Sequence, residues 1–316
     1  MTYSSGGLIQ ATDYNGFVST TVAANVNATW NSTYGQTALA TASTGGTVTA
    51  TQWASLVNTL TNMGAHQPTT LTSRSAPTSG TTISILANVN ADLASCYTNR
   101  YNAYARGTQY TAWTGTNSKT AATSGATWTI TFTNTVTFAN ATAATNFFNS
   151  GGTVKIDVAK SSTGATGDPE WNDLSTTLCG DIYISGLATS HTIAGVAYTG
   201  TTKIGGTGTP NTLSTGTGWD GLVAGAAGTI VYKQFADTAP YTSNFIQHTI
   251  AKDATSSVLT ITTLWSASDG DPISGGTAPS GATPGTAACT IVTYYPPETT
   301  YLTNTWGTPT VAATTV

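Results

Sequence analysis

TWTITFTNTVTFAN, residues 127–140, is decided by its period. Trp128, Ile130 and Phe132 alternate with threonines, and the alternation resumes at Val136 and Phe138. Successive strand residues face opposite sides, so this pattern describes a strand with one face on a core and the other in water. NFFNSGGTVKIDV, residues 146–158, repeats the alternation after a turn. Val154, Ile156 and Val158 share one face, and Lys155 and Asp157 the other. Residues 141–149 read as a short helical or looped lead-in, with Phe147 and Phe148 closing one end of a β layer. Gly151 and Gly152 then turn the chain into an antiparallel strand.

The same texture extends through most of the C-terminal two thirds. TVKIDVAK, GDIYISGL, HTIAGVAY, GTIVYKQF, NFIQHTIAK, SVLTITTLW and CTIVTYY are further strand candidates. About eight short strands punctuated by Gly, Pro and Asn describe a β-sandwich or jelly-roll-like domain over 108–316. The Gly/Thr/Pro runs 205–221 and 274–286 read as surface excursions where partners could sit.

Residues 1–107 differ. Phe17, Val18, Val22, Val26 and Trp30 recur near helical spacing, with Asp13 as an N-cap. Trp53, Leu56, Val57 and Leu60 form a second stripe between Thr49, an N-cap, and Gly64, a stop. Ile85, Val89, Leu93, Cys96 and Tyr97 form a third that runs to Gly107. These Val- and Ala-rich faces make a thin core, so Trp30, Trp53, Leu56 and Leu60 are expected to bury surface against other copies. The fold class expected is α+β, mainly β: a small helical docking and oligomerisation region followed by the sandwich.

Composition excludes several functions. Only 7% of the 316 residues are charged, the net charge is −4 and the pI is near 5.1. The scattered Lys and Arg do not make a nucleic-acid surface. No run approaches the ~20 apolar residues of a spanning helix, so no membrane is expected. About a fifth of the chain is Thr, which suits a pleated, half-exposed surface without adding charge. Eight Trp, fourteen Tyr and seven Phe argue against disorder. Cys96, Cys179 and Cys289 match neither a zinc spacing nor a disulfide framework, and read as buried thiols of a protein assembled in a reducing cytoplasm. MTYSSGGLIQ has neither the basic nor the apolar part of a secretory signal.

Candidate chemistry is sparse. His66, His191 and His248 have no partner at metal-ligand spacing, so no metal or cofactor is expected. Asp168, Glu170 and Asp173 could flank a glycosidic bond, but a helix N-terminus favours the same acids. Asp269 and Asp271 could hold calcium or form a simple Asx turn. Nucleophile-elbow, P-loop and HExxH motifs are missing from the sequence. Trp113, Trp128, Trp171, Trp219, Trp265 and Trp306 raise the idea of sugar stacking. Trp219, in TGWDGL, is the expected exposed one.

FFNSGGTVKIDV, EWNDL (170–174) and CGDIYISG (179–186) resemble virion structural proteins of tailed bacteriophages. The best match is to tail or neck appendage proteins of myovirus-type phages of cyanobacteria, which carry similar FFN-x-GG segments. YGQ (34–36), TATQWASLVNTL (49–60), HQ (66–67) and PPETTYLTNTWGTPTV (296–311) resemble the same group, so scattered motifs cover most of the chain. The resemblance implies a non-enzymatic particle component, located in the virion and assembled in the host cytoplasm. Its partners would be copies of itself, as a homotrimer or hexameric ring, and other virion proteins. The rival expectation is an adhesin module that binds a host surface glycan. A polysaccharide depolymerase is the weaker third.

Overall fold

The computed structural model describes residues 10–19, 24–79, 88–119, 127–161, 168–267, 285–297 and 300–315. The chain is mainly β with a few helices ahead of the sheets, as the periods indicate. Four helices lead: α1 (Ala11–Val18), α2 (Val26–Trp30), α3 (Ala50–His66) and α4 (Val89–Thr98).

The caps explain their limits. Thr49 accepts a hydrogen bond from Gln52 N (3.2 Å) while Gln52 Oε1 accepts from Thr49 N (2.9 Å), so α3 starts in a closed capping box. Asp13 is not the N-cap expected for α1. It sits at the third helical position and accepts from Gln10 N (2.9 Å), making Gln10 the cap. Gly64 does not stop α3, which runs on to His66. Ile85 lies outside the described residues. Gly107 does not end the third helix either, since α4 stops at Thr98.

The sheets contain thirteen strands among the described residues: β1 (Gln109–Lys119), β2 (Trp128–Thr137), β3 (Thr153–Lys160), β4 (Asp181–Ile184), β5 (His191–Ile193), β6 (Val196–Tyr198), β7 (Thr201–Ile204), β8 (Thr212–Leu213), β9 (Thr229–Phe235), β10 (Phe245–Lys252), β11 (Val258–Ala267), β12 (Gly285–Tyr294) and β13 (Thr310–Thr315). Helix α5 (Ala141–Asn149) precedes β3, and α6 (Asp168–Asn172) continues into a π-helical turn over Asp173–Leu178. All pairings within the sheets are antiparallel. One sheet has the order β1-β12-β3-β4-β7, the other β13-β2-β11-β10-β9-β8, and β5-β6 forms a separate hairpin. β1, β7, β8 and β13 carry little apolar alternation; they are the four edge strands of the two large sheets, where packing demands least.

The two large sheets enclose the core. Ile130, Phe132 and Val136 face in from one; Val154, Ile156, Val158, Ile182 and Ile291 face in from the other. Trp171, carried by α6, wedges between them and stacks on Trp265 at 5.7 Å.

That core does not stop at the sandwich. One apolar cluster runs from Tyr14, Trp53 and Leu60 through Phe147 to Ile291. Polar contacts follow it: Gln36 Nε2 donates to Thr303 O (2.9 Å), Thr305 Oγ1 to Tyr34 O (2.7 Å) and Asn149 Nδ2 to Thr33 O (3.2 Å). The helical stripes looked thin because their missing burial comes from this same chain.

Candidate functional site

The glycine turn is set by geometry. Phe147 and Phe148 are buried on α5, their rings 5.1 Å apart and packed against Phe138. Gly151 has φ of +95°, and a Cβ there would stand 2.6 Å from Ala103 Cβ. A Cβ on Gly152 would stand 2.6 Å from the Phe147 ring. Both positions therefore require glycine for shape.

Trp219 overturns the expectation of an exposed sugar platform. It is 1% exposed, stacked on Phe148 at 5.4 Å with 20° between planes, and covered by Lys252 Nζ 4.4 Å from the ring centroid. The loop composition suggested water, but Trp219 N donates to Ser185 O (2.9 Å) and Asp220 N to Gly186 O (3.0 Å), which folds the loop inward. The aromatic plug at this end of the sandwich thus includes Trp219.

Trp53, Leu56 and Leu60 are likewise 2% exposed or less, and Trp30 is half-buried against the same core. Trp53, Leu56 and Leu60 are consumed within the chain and are not available for contacts between copies, while Trp30 keeps part of its surface. Trp113 and Trp128 are half-buried, and Trp171, Trp265 and Trp306 are buried.

The interior brings together residues that resemble a catalytic set. His248 Nδ1 lies 3.0 Å from Thr263 Oγ1, Cys289 Sγ donates to that oxygen at 3.5 Å, and Asn134 Nδ2 reaches Cys289 Sγ at 4.0 Å. A thiol–imidazole pair reacts as thiolate and imidazolium. Burial drives both the other way, pushing the Cys289 thiol up to about 12 and His248 down to about 3. Thr263 also separates the two, and all four residues are at most 1% exposed. The set is a polar seam between the sheets.

His66 is buried with both ring nitrogens lacking a hydrogen-bond partner, its ring edge-on to Tyr34 at 5.0 Å; burial lowers it to about 4. His191 Nδ1 contacts Thr189 O at 3.0 Å. No group of three or more metal-ligating side chains occurs among the described residues. Cys96, Cys179 and Cys289 are buried free thiols. Glu170 and Asp173 lie on the α6–π-helix segment; the Asp168 side chain, Asp269, Asp271 and most of the 274–286 loop lie outside the described residues. No helix among the described residues is long and apolar enough to cross a membrane.

Two surface features remain. The first is the outer face of the six-stranded sheet. Thr129, Thr131, Thr133, Thr135 and Thr137 line it along β2, exposed or half-exposed. Thr133 pairs with Thr262 on β11, which pairs with Thr249 on β10, so three threonines stand abreast on neighbouring strands. Among the described residues pointing outward from β2, β9, β10, β11 and β13, Lys233 is the single charge, at one corner beside Phe235 and Phe245. The period that located these strands contains this face as its polar half, which reads as mere solvent side until the strands are placed in register.

The second is a groove of about 680 Å³ between the 205–211 loop and the end of β9. Thr207, Thr209, Asn211, Gln234, Asp237 and Thr242 supply its polar groups over a floor of Leu178 and Ala236. Three separated segments build it, and only the Gly/Thr/Pro loop signalled it in sequence.

No protein-family model, curated protein or solved structure matches this chain.

Proposed function

We propose that the protein is a non-enzymatic virion structural component of the tailed-phage kind, associated with a tail, neck or fibre, which works by assembling with copies of itself and other virion proteins. The observation that supports this most is the uncharged threonine face. Interface cores are depleted in charge, and a surface without charge meets its own copy with neither repulsion nor a buried unpaired ion. Five strands about 4.8 Å apart, with β2 reaching about 34 Å, offer roughly 700 Å², close to the ~800 Å² per partner of a stable contact. A two-fold axis through the middle of such a face would hold the two Lys233 side chains at opposite corners.

Analytical ultracentrifugation of the purified chain, with Thr133→Lys and Thr262→Lys beside it, tests this reading. A symmetric oligomer that the lysine variants dissociate, at unchanged Tm, is expected. A wild-type chain that stays monomeric at high micromolar concentration overturns it. The second reading, an adhesin for a host surface glycan, no longer rests on Trp219; the groove favours it.

A further inference from the structure

We propose that the groove between the 205–211 loop and the end of β9 binds a neutral saccharide. Its volume of about 680 Å³ falls within the ~300–1,000 Å³ of small-ligand sites. The assignment deepens the adhesin reading and stands whether or not the chain assembles.

The groove is preorganised. Lys203 Nζ donates to the carbonyls of Gly205 (3.0 Å), Gly206 (2.9 Å) and Gly208 (2.9 Å), wrapping the loop around one ammonium. Gly205 and Gly206 have φ of +72° and +63°, which glycine adopts without strain. Thr207 N donates to Thr177 O (2.7 Å) and Gly208 N to Leu178 O (3.1 Å), pinning the loop to the π-helical turn. A wall fixed in this way loses little freedom when a ligand enters.

Its chemistry selects the ligand class. Lys203 is turned to the loop's own carbonyls and no Lys or Arg lines the groove; Lys233 Nζ is spent over the Phe235 and Phe245 rings, 4.6 and 3.7 Å from their centroids. Asp237 is the sole carboxylate in the lining, too few for a metal. What the groove does offer is hydroxyls from Thr209 and Thr242, an amide from Asn211, the Thr207 hydroxyl oxygen, whose proton goes to Thr177 O (3.3 Å), and the Asp237 carboxylate, whose Oδ1 already accepts from the Thr238 hydroxyl (3.2 Å). That set matches adjacent sugar hydroxyls, each both donor and acceptor. Leu178, Ala236 and Phe235, whose ring lies 5.3 Å from that of Phe245, provide apolar surface for the C–H side of a pyranose.

Gln234 supports the loop from within. Gln234 is 4% exposed; its Nε2 donates to Phe235 O (2.9 Å), but its Oε1 has no donor. That oxygen lies against Gly208, where an added Cβ would stand 2.9 Å away. The oxygen is sealed from solvent behind Gly208, so Gln234 backs the wall of the groove from inside and does not itself meet a ligand.

The test is an amide-resolved NMR titration with the methyl glycosides of glucose, galactose, mannose and N-acetylglucosamine, and with methyl glucuronide as the charged control. Probes at about 20 mM cover the millimolar Kd of weak specific sites. At least one neutral glycoside should give saturable shifts confined to 205–211 and 234–242, while the glucuronide binds more weakly. Asp237→Ala and Thr209→Arg should each weaken binding by about tenfold or more, equivalent to about 1.4 kcal/mol, at unchanged Tm. Absence of shifts from all four neutral sugars, shifts mapping elsewhere, tighter binding of the glucuronide, or full affinity in both variants would each overturn the assignment. Repeating the titration on the monomeric Thr133→Lys chain separates this outcome from that of the assembly reading.

Discussion

Acidification should destabilise this protein well above the range in which carboxylates titrate. His66 and His248 are buried, and desolvation holds them at about 4 and about 3 against an ordinary 6.5. Below 6.5 the unfolded chain takes up a proton at each site while the folded chain does not, so stability falls with pH, by about 1.36 kcal/mol per pH unit per histidine. By pH 5 the two together should remove about 4 kcal/mol. Carried down to the folded values, the losses become about 3 kcal/mol for His66 and about 5 kcal/mol for His248, a large share of an ordinary stability of ~5–15 kcal/mol. These are upper bounds, because local opening around His66 would let it protonate early. Burial also lowers His191, with the same sign.

Asp253 does not confuse the window. Desolvation, the largest single influence, raises it, but hydrogen bonds from the Thr255 hydroxyl and the backbone N–H groups of Val258, Ser257 and Thr255 together outweigh this and hold it at about 2. Its contribution is present above 3.8 and is lost only as pH falls toward 2. Urea unfolding at pH 7.5 and 5.0 measures the effect by linear extrapolation. His66→Phe and His248→Phe keep ring contacts with Tyr34 and Tyr232, and each should remove about half of the fall. The double variant should retain only the His191 share. A stability that is flat between pH 7.5 and 5.0, or a double variant with the full slope, would refute the reasoning.

The remaining predictions concern shape. Gly151→Ala, at φ +95° and against Ala103, should cost about 2–4 kcal/mol by urea unfolding, whereas alanine at open Gly216 should change little. Trp219→Ala should cost about 3–5 kcal/mol, as for a core aromatic, and leave saccharide shifts at 205–211 in place. Thr49→Ala should lower stability by about 1 kcal/mol through the lost cap of α3, with Thr49→Ser restoring it.

The strands were legible because their period is short. Ile130, Phe132 and Val136, or Val154, Ile156 and Val158, disclose the buried face within eight residues of chain, and all are buried in the sandwich. The helical stripes disclosed which face is buried but not against what. Trp53 and Leu60 have the same spacing whether their cover is another copy or the rest of the chain. Trp219 misled for a related reason. Its glycine-rich neighbours signal a loop, and a loop can fold inward when backbone partners such as Ser185 O wait for it.

Local sequence determined the mainly antiparallel β architecture, the sparsely charged surface and the glycines at the 150s turn, because each depends on steric and hydrophobic preferences of near neighbours. The tertiary structure alone decided that the helices share the sandwich core, that His248 and Cys289 are sealed and inert, and that Thr207, Asn211 and Asp237 meet around one groove. Those outcomes depend on contacts between residues tens to hundreds of positions apart, and a residue's type and spacing carry no information about which distant partner will desolvate it.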